Sequence, residues 1–251
     1  MSKKTKIYPA YAAIGDFLES VPELMTTQGE TLHAGRNLIK VLRAPDGRLF
    51  NVKRYHCPSP LNAIVYSLGL RQPKGRRAAI YPALLAKAGI ETPQVAAYIE
   101  ERRCGLLRFS WLVTVQCPYE RRLYEVVDDT PEVYLPLAEA LGRMTARMHE
   151  AEMLHRDYSP GNILWREEHG EYRFSVVDIN RMRFGKVSLE TGCANFARLW
   201  GPKDFFIAMA RSYASCRGFD AQQCIEATLR HRRAFWTRYA RRHDVSFKLD
   251  L

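Results

Sequence analysis

No Cys-x-x-Cys occurs in this chain, and its six cysteines (Cys57, Cys104, Cys117, Cys193, Cys216, Cys224) have no histidine at metal-ligand spacing. That excludes a sequence-encoded zinc site and gives no disulfide framework, so a reducing cytoplasm is expected. Long apolar runs are also missing. The longest uncharged stretch, Tyr55 to Leu70, is broken by Pro58 and Pro60 and is too short to span a bilayer as a helix. Met1 to Lys6 has the charge of a signal peptide but no apolar stretch follows, because Asp16, Glu19 and Glu23 arrive too soon. Repeats and low-complexity segments are absent. Acidic residues are in deficit, with 27 Asp and Glu against 38 Lys and Arg, a net charge of +11. The deficit lies upstream: residues 1–117 hold 17 basic and 8 acidic side chains, residues 118–251 hold 21 and 19. Such an excess suits anionic partners, among them nucleotides and phosphorylated lipids. Nucleic acid is not expected, since no recognised motif is present and the aromatics follow core periodicity.

The 251 residues, 47% of them apolar, suffice for one large domain or two lobes. Asn37 to Leu42, a turn at Ala44 to Gly47, and Arg48 to Arg54 read as an antiparallel hairpin, with a further strand in Gly29 to Gly35. Ser59 and Pro60 start a helix whose Leu61, Ile64, Val65 and Leu68 recur at helical spacing. A second helix runs to Gly89, and Pro82 requires it either to begin near Tyr81 or to kink there. Residues 95–117 give two more strands. Leu137, Leu141, Met144 and Met148 then form one stripe of a buried helix leading into Leu154, and later helices are expected at 190–200, 203–217 and 220–242. The fold class is therefore α+β and two-lobed: an N-terminal extension (1–23), an antiparallel N-lobe with helix that binds nucleotide (24–117), and a mostly helical C-lobe (118–251).

The most informative residues are His155-Arg156-Asp157, Asn162 five positions after the Asp, and Asp178. This is the spacing of the protein-kinase catalytic loop and its metal-binding partner. One carboxylate orients the attacking hydroxyl; an amide and a second carboxylate hold Mg²⁺ on the phosphates of ATP. Asn162 to Trp165 and Tyr172 to Val177 read as a hairpin with its turn over Arg166 to Glu171, which returns Asp178 beside Asn162. Asp157 is thus assigned to the hydroxyl, Asn162 and Asp178 to Mg²⁺, and Arg156 to support of the loop. His155 reads as structural. Lys53 is the candidate for the α- and β-phosphates, with Arg54 its neighbour on the other strand face. Gly35 is the well-placed glycine of a phosphate loop. The nucleotide is expected near residues 114–118, touching Val115 and Gln116, with Leu164 under the adenine.

On these blocks, together with Gly35 to Lys40, Asn51 to Arg54, Lys87 to Pro93 and Val177 to Gly185, the chain resembles the lipopolysaccharide core kinases. These are the Kdo and heptose kinases of Gram-negative bacteria, themselves similar to protein kinases in fold. The resemblance implies ATP- and Mg²⁺-dependent phosphorylation of a sugar hydroxyl on a glycolipid precursor at the cytoplasmic face of the inner membrane. Too few residues separate Asp178 from the helix near Glu190 for a long activation segment, and no Ala-Pro-Glu follows, which argues against a protein acceptor. Two departures stand out. Asn180 replaces the glycine of Asp-Phe-Gly, and residues 76–89 contain no acid to pair with Lys53, leaving Glu91, Glu100 or another group. A nucleotide-binding pseudokinase and a kinase of another small acceptor are the alternatives. The apolar face of the first helix, next to Arg71, Lys74, Arg76 and Arg77, is read as packing on its own lobe, with peripheral contact to an anionic membrane as the alternative.

Overall fold

The structure is a computed structural model that describes residues 1–245, Phe247 and Asp250. It divides into two compact units, residues 1–84 with 92–118, and residues 85–91 with 119–251.

The first unit is built on six antiparallel strands: β1 (Ser2–Ile7), β2 (Glu30–Ala34), β3 (Leu38–Arg43), β4 (Leu49–Tyr55), β5 (Val95–Arg103) and β6 (Leu106–Val115), in the order β1-β5-β6-β4-β3-β2. Alternation divides each strand between two faces. Phe50, Val52, Ile99, Trp111 and Val113 pack against Leu18, Val21 and Met25 of helix α1 (Gly15–Thr27). Tyr55, Tyr98 and Leu112, of opposite parity, pack on Ala78 and Ala79 of α3 (Lys74–Lys87).

One expectation is corrected here. The first 23 residues are no extension: β1 pairs with β5 from Ser2↔Arg102 to Ile7↔Ala97, and α1 covers one sheet face. A strand reading Ser-Lys-Lys-Thr-Lys-Ile has too few apolar residues to show itself, and its lysines suit a sheet edge; Lys3 Nζ donates to Glu19 O of α1 at 2.8 Å. Of the two alternatives for Pro82, a helix start near Tyr81 does not hold: α3 starts seven residues earlier and contains Pro82. It approaches the sheet at Gly75, where a Cβ would lie 2.7 Å from the Tyr98 ring.

Helix α2 (Pro60–Ser67) forms behind Ser59 as N-cap with Pro60 in its first turn. The packing expected of its apolar face does not occur: only Ala63 is buried, while Leu61 and Leu68 are 72% and 69% exposed. Among the described residues no helix is long and apolar enough to cross a membrane.

The second unit is mainly helical: α4 (Pro131–Glu150), α5 (Leu189–Asn195), α6 (Lys203–Arg217) and α7 (Ala221–Ala240). The expected stripe of α4 is wholly buried. Its strands are short: β7 (Arg121–Arg122), β8 (Met153–Leu154), β9 (Ile163–Glu168), β10 (Glu171–Val176) and β11 (Arg183–Phe184). β9 and β10 form the expected hairpin, but the turn is only His169-Gly170, with φ of 53° and 80°. Two left-handed residues make the tight turn whose twist matches that of the strands.

Candidate active site

In the second unit the catalytic loop leaves β8 and ends where β9 begins. His155 is buried, and its Nε2 lies 2.9 Å from Val177 O. A carbonyl only accepts, so Nε2 carries the proton. Burial depresses the pKa of His155 and keeps the ring neutral. Asn162 Nδ2 donates to Asp157 O at 2.9 Å, and Val177 N donates to Asn162 O at 3.0 Å. These bonds tie the loop to the end of β10. Asp157, Asn162 and Asp178 are therefore held on one short framework.

Asp178 adopts φ 58°, ψ 39°, a left-handed conformation that Asp tolerates better than most residues but that still costs on the order of 1 kcal/mol. Asn180 Nδ2 donates to Asp178 Oδ1 at 2.5 Å. The residue that departs from the glycine pattern thus fixes the carboxylate instead of freeing the backbone.

Arg156 was expected to support the loop by pairing or packing. It is exposed and forms no ion pair among the described residues. Asp157 is met instead by Arg181 Nη1 at 3.0 Å from Oδ2 and by Arg198 Nη1 at 3.3 Å from Oδ1. Arg181 lies in the block from Val177 to Gly185, where its position three residues past Asp178 was a usable signal; Arg198 carried none.

A largely buried hydrogen-bond chain supports the loop from behind. Asn195 Nδ2 donates to His155 O at 3.0 Å, and its Oδ1 accepts from His149 Nε2 at 3.2 Å. His149 Nδ1 then accepts from the Tyr213 hydroxyl at 2.9 Å. Tyr158, also in the loop, lies 2.7 Å from Thr145 Oγ1 of α4. Desolvation lowers the His149 pKa from 6.5 to about 4. The folded protein holds this ring neutral, whereas the unfolded chain takes up a proton below pH 6.5. Stability should therefore fall as pH drops through that window, by about 2 kcal/mol at pH 5 from this residue. Thermal denaturation at pH 7.5 and 5 checks this: His149→Gln should flatten the slope, and an unchanged slope would contradict it.

In the first unit Lys53 sits on β4 opposite Ile39 and Leu112. Its parity matches Tyr55 and the face covered by α3, and its Nζ lies 5.4 Å from the Tyr55 ring centroid. Arg54 takes the other face, over Phe109. Gly35 lies in the bend between β2 and β3, where its N–H reaches Asn37 O. Val115 ends β6 and Gln116 follows it, with their N–H groups donated to Gln94 O and Leu49 O at 2.9 Å, so neither N–H is available to a nucleotide base. In the second unit, Leu164 is half-buried on β9 opposite Ser175. Helix α3 contributes no acid. The carboxylate of Glu100 is bonded to Arg102 at 2.7 Å and to the Tyr98 hydroxyl at 3.0 Å. That of Glu91 is bonded to Arg173 at 3.4 Å and to the Tyr119 hydroxyl.

Solved structures share this architecture. WaaP, solved in complex with acyl carrier protein, aligns with a TM-score of 0.62 at 18% identity, covering 95% of this chain and 98% of its own. The amicoumacin kinase hAmiN, solved in complex with AMP-PNP, Ca²⁺ and Ami, aligns with a TM-score of 0.57 at 11% identity, covering 96% and 91%. The fold is protein-kinase-like, and the class is that of the phosphotransferases. Residues 65–200 match the lipopolysaccharide kinase (Kdo/WaaP) family, and the chain belongs to it. No curated protein matches the chain in sequence.

Proposed function

We propose that the chain transfers the γ-phosphoryl group of ATP, with Mg²⁺, to a sugar hydroxyl (Kdo or heptose) of a lipopolysaccharide lipid A-core precursor at the cytoplasmic face of the membrane. The observation that carries this reading is the locked set Asp157, Asn162 and Asp178 in a chain of this family. The donor chemistry fits magnesium. Asn162 turns its amide nitrogen to Asp157 O, which leaves Oδ1 for a cation, and Asp178 adds a carboxylate. Among the described residues no cluster of three or more His, Cys, Asp and Glu could hold a metal. Phosphate oxygens and water would complete the shell, as is usual for Mg²⁺. When bound, the ion neutralises charge on the transferring phosphoryl group.

Asp157 is assigned to orienting the acceptor hydroxyl and taking its proton, Lys53 to the α- and β-phosphates, and the bend at Gly35 and the strand end at Val115 and Gln116 to the rest of the nucleotide, with Leu164 against the base. The surroundings of Asp157 also bear on the acceptor. Arg181 and Arg198 are 53% and 46% exposed there, which favours an anionic sugar over the cationic antibiotics or choline of other small-molecule kinases. ADP release on adding a lipid A-core precursor, but not an aminoglycoside, tests this assignment. Lys53→Met should lower kcat/KM for ATP by about 10-fold or more while leaving the melting temperature in place. Unchanged ATP kinetics would remove Lys53 from the nucleotide site.

A further inference from the structure

The first unit contains a cavity of about 470 Å³ that adjoins the bend carrying Gly35 but is lined by none of the residues assigned a role above. It is bounded by the bend after β2, the segment following β4, helix α2, the start of α3 and the start of β6. Arg36, Lys74, Arg108 and His56 line it together with Asn62 and Ser110, and none of its lining residues is acidic. Arg36 forms no hydrogen bond or ion pair with any described residue, and Arg108 is only loosely balanced by Glu101 at 3.8 Å. A cavity of this size and sign, with amide and hydroxyl donors beside the cations, suits a phosphate ester.

The wall formed by α2 is unusual on its outer side. Four of the eleven exposed large apolar side chains among the described residues lie within ten positions: Leu61 (72%), Ile64 (43%), Leu68 (69%) and Leu70 (75%). Leu107 N donates to Ser67 Oγ at 2.9 Å, which places the half-exposed Leu106 at the same end of the helix. Arg71 and Arg76 follow, both exposed. Apolar side chains left in water beside a cationic cavity match a ligand that has an acyl region and an anionic head together.

We infer that this face docks on a membrane, with Leu61, Ile64, Leu68 and Leu70 entering the acyl boundary and the cavity holding the phosphate of an anionic phospholipid. A soluble phosphate compound would satisfy the cations but leave the leucines exposed. Each cation close to an anionic surface is worth about 1 kcal/mol, so loss of two should weaken partition on the order of 30-fold.

The test uses the full chain without nucleotide or acceptor, so its failure would leave the kinase assignment standing. Co-sedimentation is measured with vesicles of phosphatidylcholine alone and of phosphatidylcholine mixed with phosphatidylglycerol. The wild type should bind the mixed vesicles and not the neutral ones, less strongly at high salt. Leu61→Ser with Leu70→Ser should abolish binding, and these highly exposed sites should leave the melting temperature unchanged. Arg36→Gln with Arg108→Gln should give the 30-fold loss. Binding absent from mixed vesicles, or unaltered in both double variants, would overturn the inference. So would tight binding of soluble glycerol phosphate in the absence of any vesicle partition, which would make the cavity a site for a free phosphate ester.

Discussion

Asp178→Asn is expected to reduce phosphoryl transfer by on the order of 10³-fold or more while the protein stays folded. The substitution keeps the size of the side chain and suits the left-handed backbone at φ 58°, since Asn is also tolerated there. The oxygen that accepts from Asn180 Nδ2 remains. What disappears is a negative charge at the position assigned to the metal, and positioning with charge neutralisation supplies nearly all the catalysis in phosphoryl transfer. Asp157→Ala should be similarly severe by a different route, through loss of the carboxylate that orients the acceptor hydroxyl. Steady-state rates with ATP and acceptor, alongside a melting curve, separate the two consequences. Near wild-type turnover in either variant would remove that residue from the reaction.

The second large effect concerns stability. Gly142→Ala should destabilise the protein by about 2–3 kcal/mol, because the new Cβ would meet Met209 O at 2.4 Å and Tyr213 N at 3.1 Å. Both are backbone atoms of α6, so no rotamer change relieves the clash; α4 and α6 must separate. For a chain of this length that corresponds to a fall in Tm of roughly 5–10 °C. Gly161→Ala is the contrasting case, since nothing lies within 4 Å of its added Cβ. The separation should also reach the site: α4 carries Thr145 and His149, which hold Tyr158 and, through Asn195, the carbonyl of His155. A Gly142→Ala melting temperature equal to wild type would show that the helices tolerate the insertion.

The fold was legible wherever periodicity was strong. The helix over 203–217, the hairpin leading to Asp178 and the strands around Lys53 all follow from apolar spacing and turn residues. Strand β1 was not legible, because its lysines belong to an edge and only its pairing with β5 identifies it. The exposed face of α2 was misread for a related reason: a helical stripe of Leu and Ile ordinarily marks a core, and sequence alone does not show what covers it. In the candidate site, the spacing of Asp157, Asn162 and Asp178 was visible because phosphoryl transfer demands those groups in that order. Arg198, His149, Asn195 and Tyr213 were not, because their contacts join separate segments of the second unit and no local pattern records them.

The most direct measurement is incubation of the protein with ATP, Mg²⁺ and lipid A-core precursors, followed by mass spectrometry of the glycolipid. The expected result is one added phosphate on a core sugar with the wild type and none with Asp157→Ala. ATP binding without phosphate on any precursor would contradict the assignment and identify a nucleotide-binding pseudokinase instead.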